Sequence, residues 1–203
     1  MPNKKSGQYH HGDLYAALLE AAAEMIATEG LEALTLRALS QRVGVSRTAP
    51  YRHFADKSAL LAAVAEEGFK RLLHRLQAVA EQADLDVLAH FQQMGVAYIS
   101  FAVDNPVHYR LMFSSETASP EAYPGLAAVR VVVFNTLVSA IEQCQSEGKI
   151  KSSEPRALAN VTWATVHGLS SLLIDEQIQN QLSVQEIATF TTQTLVGGLA
   201  LDQ

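Results

Sequence analysis

The chain has 203 residues, of which 48% are apolar and 18% charged, and its formal net charge is −6. That length buries a sizeable core, and the balance is wrong for a disordered, collagenous or repeat protein. One cysteine, Cys144, excludes an internal disulfide and a cysteine-rich metal site; the first residues lack a secretory h-region, and no uncharged apolar run reaches the ~18 residues of a membrane span, so a soluble cytoplasmic protein is expected.

The apolar period is helical nearly throughout and predicts an all-α chain of about nine helices. Asp13 is the expected cap of a first helix carrying Leu14, Leu18, Ala21, Met25 and Ile26, ended by Gly30. Thr35 caps a short second helix with Leu36, Leu39 and Val43 inward, and Gly44 breaks it. Ser46 is the expected cap of a third helix, Arg47 to His53. Asp56 then caps a long fourth, Lys57 to Gln82, with Leu60, Leu61, Val64, Leu72, Leu76 and Val79 on its buried side. A fifth covers 84–104 and stops at Asn105-Pro106. A short sixth covers 107–114, a loop follows to Gly125, and the seventh covers 126–147. The eighth, 154–177, opens at Ser153 and Pro155. The ninth, 183–201, opens with Ser183 and Glu186 spaced as a capping box.

Charge is unevenly placed along these elements. Residues 1–57 carry seven Lys/Arg against six Asp/Glu, whereas 58–203 carry eight against fifteen. Residues 33–57 hold five basic groups and one acid, Asp56. A small basic face on an acidic body is compatible with DNA, because phosphates feel the local patch. The expected division is a head, 1–57, and a helical body, 58–203, joined by the fourth helix.

The stretch Val43-Gly44-Val45-Ser46 between two short helices reads as a helix-turn-helix, with Gly44 supplying the φ > 0 backbone of the turn. The helix after Ser46 is too short and too polar for core. Arg47, Thr48, Arg52 and His53 offer donors, and Tyr51 offers a hydroxyl. Such a helix fits a major groove, its first residues reaching base edges and flanking groups holding phosphates. Phe54 is better suited to the small core, and Arg42 to a solvated surface. Lys4 and Lys5 read as a tail or as a minor-groove arm.

Across residues 10–60 these features resemble the TetR family of transcriptional regulators: the apolar first helix, Gly30, Thr35-Leu36-Arg37, Val43-Gly44-Val45-Ser46, Tyr51 with His53-Phe54, and Lys57. Tyr9-His10-His11-Gly12 is similar to one subgroup. Asn105-Pro106 with Tyr109, and Trp163 with His167-Gly168, resemble one class of C-terminal domain in such regulators, the Trp-His-Gly type. The resemblance implies that Arg47, Thr48 and Ala49 open the recognition helix, Arg47 and Thr48 touching bases. It implies phosphate contacts from Tyr51, Arg52, His53, Lys57, Thr35 and Arg37. Pro50 departs from the commoner apolar residue at its site, and its missing N–H predicts a shifted or distorted helix start.

The resemblance also implies a body that dimerises and encloses an effector pocket, with double-stranded operator DNA and a small molecule as partners and no cofactor. Phe91, Met94, Tyr98, Phe101, Tyr109, Met112, Phe113, Trp163 and His167 are the candidate lining, being large, apolar and sparingly polar; each also suits ordinary core. The candidate dimer surface is Leu169, Leu172 and Leu173 on the eighth helix and Phe190, Thr194, Leu195 and Gly198 on the ninth, forming a four-helix bundle across two chains. Burial of part of these faces against the body is the alternative.

No enzyme signature competes: there is no Gly-rich phosphate loop, no G-x-S-x-G turn and no zinc-type histidine pair. The expectation is a ligand-responsive regulator, a homodimeric repressor on a palindromic operator. A helical ligand-binding protein or enzyme with an incidental basic segment, or a DNA-binding dimer with no effector, are the alternatives.

Overall fold

The computed structural model describes residues 11–117, 121–178 and 182–199. Lys4, Lys5, Tyr9, His10 and the end of the ninth predicted helix lie outside the described residues. The described chain forms eight α-helices: α1 His11–Glu29, α2 Leu36–Val43, α3 Lys57–Ala80, α4 Val87–Asp104, α5 Pro106–Met112, α6 Pro124–Ser146, α7 Pro155–Ile174 and α8 Val184–Leu199. Three-residue 3-10 turns occupy Leu31–Ala33, Pro50–Arg52 and Ser115–Thr117, and the described residues contain no β-strand.

Capping chemistry fixes most helix starts. The side chains of Thr35, Asp56 and Asp86 accept from Ala38 N at 3.0 Å, Ala59 N at 2.8 Å and Ala89 N at 2.8 Å, each worth about 1 kcal/mol. Ser183 and Glu186 form the reciprocal box of α8: Ser183 N donates to Glu186 Oε2 at 2.8 Å and Glu186 N to Ser183 Oγ at 3.2 Å. Pro106, Pro124 and Pro155 each sit at the first helical position, where a missing N–H costs nothing. That is why α5 and α6 begin earlier than their apolar period indicates. Asp13 lies inside α1, which has already begun at His11.

The third predicted helix is corrected most. Residues 47–49 form a turn and only Pro50–Arg52 is helical, in the 3-10 form. The Ser46 cap expected here is not made: Ala49 holds the cap position without a side-chain bond, the Ser46 carbonyl accepts a turn bond from Ala49 N at 3.0 Å, and the Ser46 hydroxyl lies 3.3 Å from Thr48 Oγ1. Arg52 N and His53 N reach back three residues, to Ala49 O and Pro50 O. Pro50 has no proton to give Ser46, and its ring crowds that carbonyl, so an α-helical ladder cannot pass through this position.

One apolar cluster runs without a break from the head through α3 into the body. It includes Leu18, Leu34, Leu39 and Phe54, then Leu60, Leu61 and Val64, then Ile99, Met112 and Leu126. Fully burying each such side chain contributes roughly 1.5–3 kcal/mol. A smaller cluster around Phe91, Ile141, Cys144 and Val196 closes the far end. The Cys144 thiol is pushed up to about 11 by burial and stays an inert core group. In the body, α3 packs on α4, α5 and α6, while α4 packs on α7 and α8.

By length and composition α6 and α7 are each long and apolar enough to cross a membrane, a property that interrupted apolar runs do not reveal. In the fold both pack into the body, α6 on α3 and α4, α7 on α4 and α6.

The α4–α8 approach depends on Gly95. A Cβ there would sit 2.6 Å from Thr192 Cγ2, and Thr192 is buried with its hydroxyl bonded to Ala188 O at 3.0 Å. A stiff β-branched side chain held in that way cannot yield. Gly95→Ala is expected to lower stability by about 1–3 kcal/mol in urea unfolding; an unchanged midpoint would contradict this packing.

Candidate functional site

The first candidate surface is the outer side of the helix-turn-helix. Gly44 takes φ 75° and closes α2, its N–H bonded to Gln41 O at 3.2 Å. Beyond it, Arg47, Thr48, Tyr51 and Arg52 are exposed, Tyr51 with 57% of its surface open. Ala49, Pro50 and Phe54 form the inner side, so Ala49, only 9% exposed, does not share the outer face expected of it. His53 is half-buried, edge-on to Tyr15 at 5.8 Å between ring centroids. Lys57 Nζ donates to Leu31 O at 2.7 Å and so ties the head together. Thr35 is exposed but its oxygen is committed to capping α2.

The arginines divide cleanly. Arg42 pairs with Glu29 and with Glu24. Arg37, Arg47 and Arg52, all exposed, ion-pair with no carboxylate among the described residues. Exposed guanidiniums without a carboxylate partner are the chemistry that attracts a polyanion.

The second candidate site is a partly open cavity of about 600 Å³ lined by α3, α4, α6, α7, α8 and residues 113–115. Of the predicted lining, Phe91, Met94, Tyr98, Phe113 and Trp163 are in place. Phe101, Tyr109, Met112 and His167 do not reach it. Phe101 and Met112 are core, 2% and 0% exposed. Helical spacing identified the apolar stripe but could not divide its two edges between cavity and core.

Tyr109 and His167 instead lie behind the wall, supporting it. Trp163 Nε1 donates to Tyr98 Oη at 3.1 Å. Tyr109 Oη lies 2.6 Å from His167 Nδ1 and donates to His167 O at 3.3 Å, and Tyr98 Oη lies 3.3 Å from Tyr109 Oη and 3.2 Å from His167 Nδ1. Burial, and then Tyr109, holds the Tyr98 phenol well above its ordinary range, and burial raises that of Tyr109 too. Burial lowers His167. Both phenols therefore keep their protons and the imidazole stays neutral, with one ring nitrogen a donor and the other an acceptor.

Sequence reasoning missed Arg130, Arg156, Gln92, Asn160, Thr162 and Thr192, all in the lining. A signal existed for two of them: Arg130 is the only formal charge between Pro124 and Ile141, and Arg156 the only one between Pro155 and Ile174.

A third feature is an uncovered apolar ridge on α7 and α8. On α8 Phe190 is 64% exposed, with Thr194 and Gly198 exposed near it, and on α7 Val161 and Leu172 are exposed. Leu169 and Leu173 are only partly exposed and pack on the core, and Leu195 reaches the cavity. A shallow hollow between Thr165, Phe190, Thr194 and Gly198 marks the ridge.

Two family models match the chain. One, described as bacterial regulatory proteins, tetR family, covers residues 18–64; the other, the tetracyclin repressor-like C-terminal domain, covers 91–195. An HTH-type transcriptional regulator of Bacillus subtilis, YobS, is 24% identical over 189 residues, spanning 91% of this chain and 92% of its own. The nucleoid occlusion factor SlmA of a Marinomonas species is 27% identical over 152 residues, spanning 74% of this chain and 72% of its own. A solved structure of a protein of unknown function from Rhodococcus sp. RHA1 is 32% identical and superposes with a TM-score of 0.85, covering 97% of this chain and 100% of that one.

One buried imidazole, His108, and one half-buried, His167, predict a pH dependence of stability. Burial lowers His108 first, then the Arg71 charge, against Glu20 and Glu67, which raise it; burial alone lowers His167. Above about pH 6.5 both are neutral in the folded and unfolded chains and contribute nothing. Below it the unfolded chain takes up protons that the folded one resists, so stability falls as pH falls. Between pH 7.5 and 5.5 the natural chain is expected to lose more unfolding free energy than the His108→Gln/His167→Gln double variant. Equal losses in chemical denaturation would refute the assignment.

Proposed function

The chain belongs to the TetR family of bacterial regulatory proteins and is a ligand-responsive, DNA-binding transcriptional regulator; from that premise we propose that it works in the cytoplasm as a homodimeric repressor, released from a palindromic operator when a small apolar or amphipathic molecule fills the cavity. The observation that carries this reading is α3. Its first turns pack Leu60, Leu61 and Val64 into the core continuous with the head, and its later turns lend Phe69, Leu72 and Leu76 to the cavity wall. One uninterrupted 24-residue helix, roughly 36 Å long, thus belongs to both sites.

In this reading Arg47 and Thr48 meet base edges, and Tyr51, Arg52 and Arg37 meet phosphates. Thr35, His53 and Lys57 act as braces whose second hydrogen-bonding capacity faces the backbone of the duplex. Two chains join through the α7–α8 ridge, with Phe190 and Leu172 as apolar anchors and Thr194 and Gly198 allowing close approach. The two heads then address successive turns of one DNA face, about 34–36 Å apart. The effector acts only through a difference in affinity between the DNA-competent form and another form. No catalytic role is assigned to any residue.

DNase footprinting of DNA upstream of the gene tests the reading, with a protected palindrome expected; no protection at any salt would refute it. Arg47→Ala is expected to weaken operator binding about tenfold or more, the 1–3 kcal/mol of a lost base contact. Arg37→Ala is expected to weaken all sequences alike and to flatten the salt slope by about one unit. Phe190→Glu is expected to shift sedimentation from dimer to monomer at micromolar concentration and to remove operator binding with it; a dimer that survives this change would exclude the ridge as the interface.

A further inference from the structure

We propose that the molecule admitted to the cavity is an organic anion, a carboxylate on an apolar body, with Arg130 and Arg156 receiving the charged end; this deepens the regulator reading above and rests on it. The starting point is the treatment of charge in the body. Arg71, Arg75 and Arg110 each meet a carboxylate: Arg71 those of Glu20 and Glu67, Arg75 that of Asp104, Arg110 that of Asp175. Arg130 and Arg156 are the body arginines with no carboxylate partner among the described residues, and both line the cavity. Among the described residues no aspartate or glutamate lines it.

Their surroundings position these two groups without neutralising them. Arg130 donates through Nη2 to Met112 O at 3.1 Å and lies 5.6 Å from the Phe69 ring centroid, and its Nε is buried without a partner. Arg156 lies 5.1 Å over the Phe134 ring and donates to Asn135 Oδ1 at 3.3 Å. Phe134 follows Arg130 by four residues on α6, so the two guanidiniums flank one turn of that helix. Ring faces and amide oxygens orient a guanidinium but leave its net charge and several of its five donors unmet. Arg130, partly buried with its Nε unmet, is costly in that state, whereas Arg156 is exposed and contributes charge without that cost; a carboxylate, which matches the planar fork bidentately, removes the cost at Arg130 and is attracted by Arg156.

The rest of the wall fits an apolar body. Phe91, Met94, Leu137, Trp163 and Val196 dominate it. Thr162, 5% exposed, also lines it with an Oγ1 that has no hydrogen-bond partner, one further polar contact for a mixed-character ligand. A neutral hydrocarbon would leave both guanidiniums uncompensated, and a cationic amphiphile would be repelled by them.

Isothermal titration calorimetry on the intact protein tests this with matched probes: decanoate, decan-1-ol and decyltrimethylammonium, then 4-biphenylcarboxylate and 4-biphenylmethanol. Each carboxylate is expected to bind at least about tenfold tighter than its alcohol, with the ammonium weakest. Arg130→Gln and Arg156→Gln are each expected to cut that ratio several-fold, and Arg130→Lys to keep part of it. Circular dichroism melts and retained alcohol binding certify that the variants fold. An alcohol that binds as tightly as its carboxylate, a ratio that survives in the Arg130→Gln/Arg156→Gln double variant, or no binding by any of the five probes would each overturn the inference. The operator footprint reads the regulator assignment separately, so a protected palindrome beside a charge-blind cavity sinks this proposal alone.

Discussion

The structure depends on a single helix being unable to belong to only one of its two neighbours. Leu60, Leu61 and Val64 on α3 are sealed among Leu18, Leu34 and Leu39 of the head, and Phe69, Leu72 and Leu76 on the same helix are committed to the body. No proline interrupts it, and its hydrogen-bond ladder runs from the Asp56 cap to Glu81. A close-packed apolar core transmits displacement rather than absorbing it. The head and the cavity wall are therefore mechanically one object along α3, and Arg71 adds a polar tie at the same level, bridging Glu67 on α3 to Glu20 on α1. Exposed ion pairs of that kind contribute little to stability.

The polar groups of the cavity wall fall into two sets. Tyr98 and Trp163, which line the cavity, bond to each other, and Tyr98 continues to Tyr109 and His167 behind the wall; burial favours the neutral form of both phenols and of the imidazole. A satisfied neutral network in a low-dielectric wall is rigid and costs nothing electrostatically. On the inner surface Arg130 and Thr162 keep hydrogen-bonding capacity unused. The contrast separates groups that hold shape from groups open to a visitor. Arg130 stands at the boundary, since the carbonyl it does engage, Met112 O, ends α5, and α5 packs on α3.

The all-α class and several helix caps were legible because each rests on local chemistry. Thr35, Asp56 and Ser183 with Glu186 satisfy amides three residues away, and that spacing is visible in one dimension. The cavity was half legible. Phe91, Met94 and Tyr98 recur on one stripe of α4, but Phe101 on the same stripe is core, because a helix period assigns a face and not what lies opposite it. Arg130 and Arg156 were overlooked since a lone charge in an apolar helix reads as a solvated edge; that both open toward one space follows only from the packing of α6 against α7. The dimer candidates split for the same reason, with Phe190 and Leu172 left outside while Leu169 and Leu173 turn inward.

Pro50 separates pattern from hydrogen bonding. The sequence after Ser46 has helical polarity: 47, 48, 51 and 52 face out, and 49, 50 and 54 face in. Yet its amides reach back three residues, to Ser46, Ala49 and Pro50, and only Phe54 N makes a four-residue bond. The outer face is therefore held less by a backbone ladder than by what is buried beneath it. Pro50 and Phe54 are anchored in the head core, and Tyr15 packs against Phe54 at 5.4 Å and against His53. A proline with φ already restricted loses little entropy on being fixed there. A short element that presents Arg47, Thr48, Tyr51 and Arg52 can thus keep their relative placement without an α-helix, provided its inner side remains docked on α1 and α3.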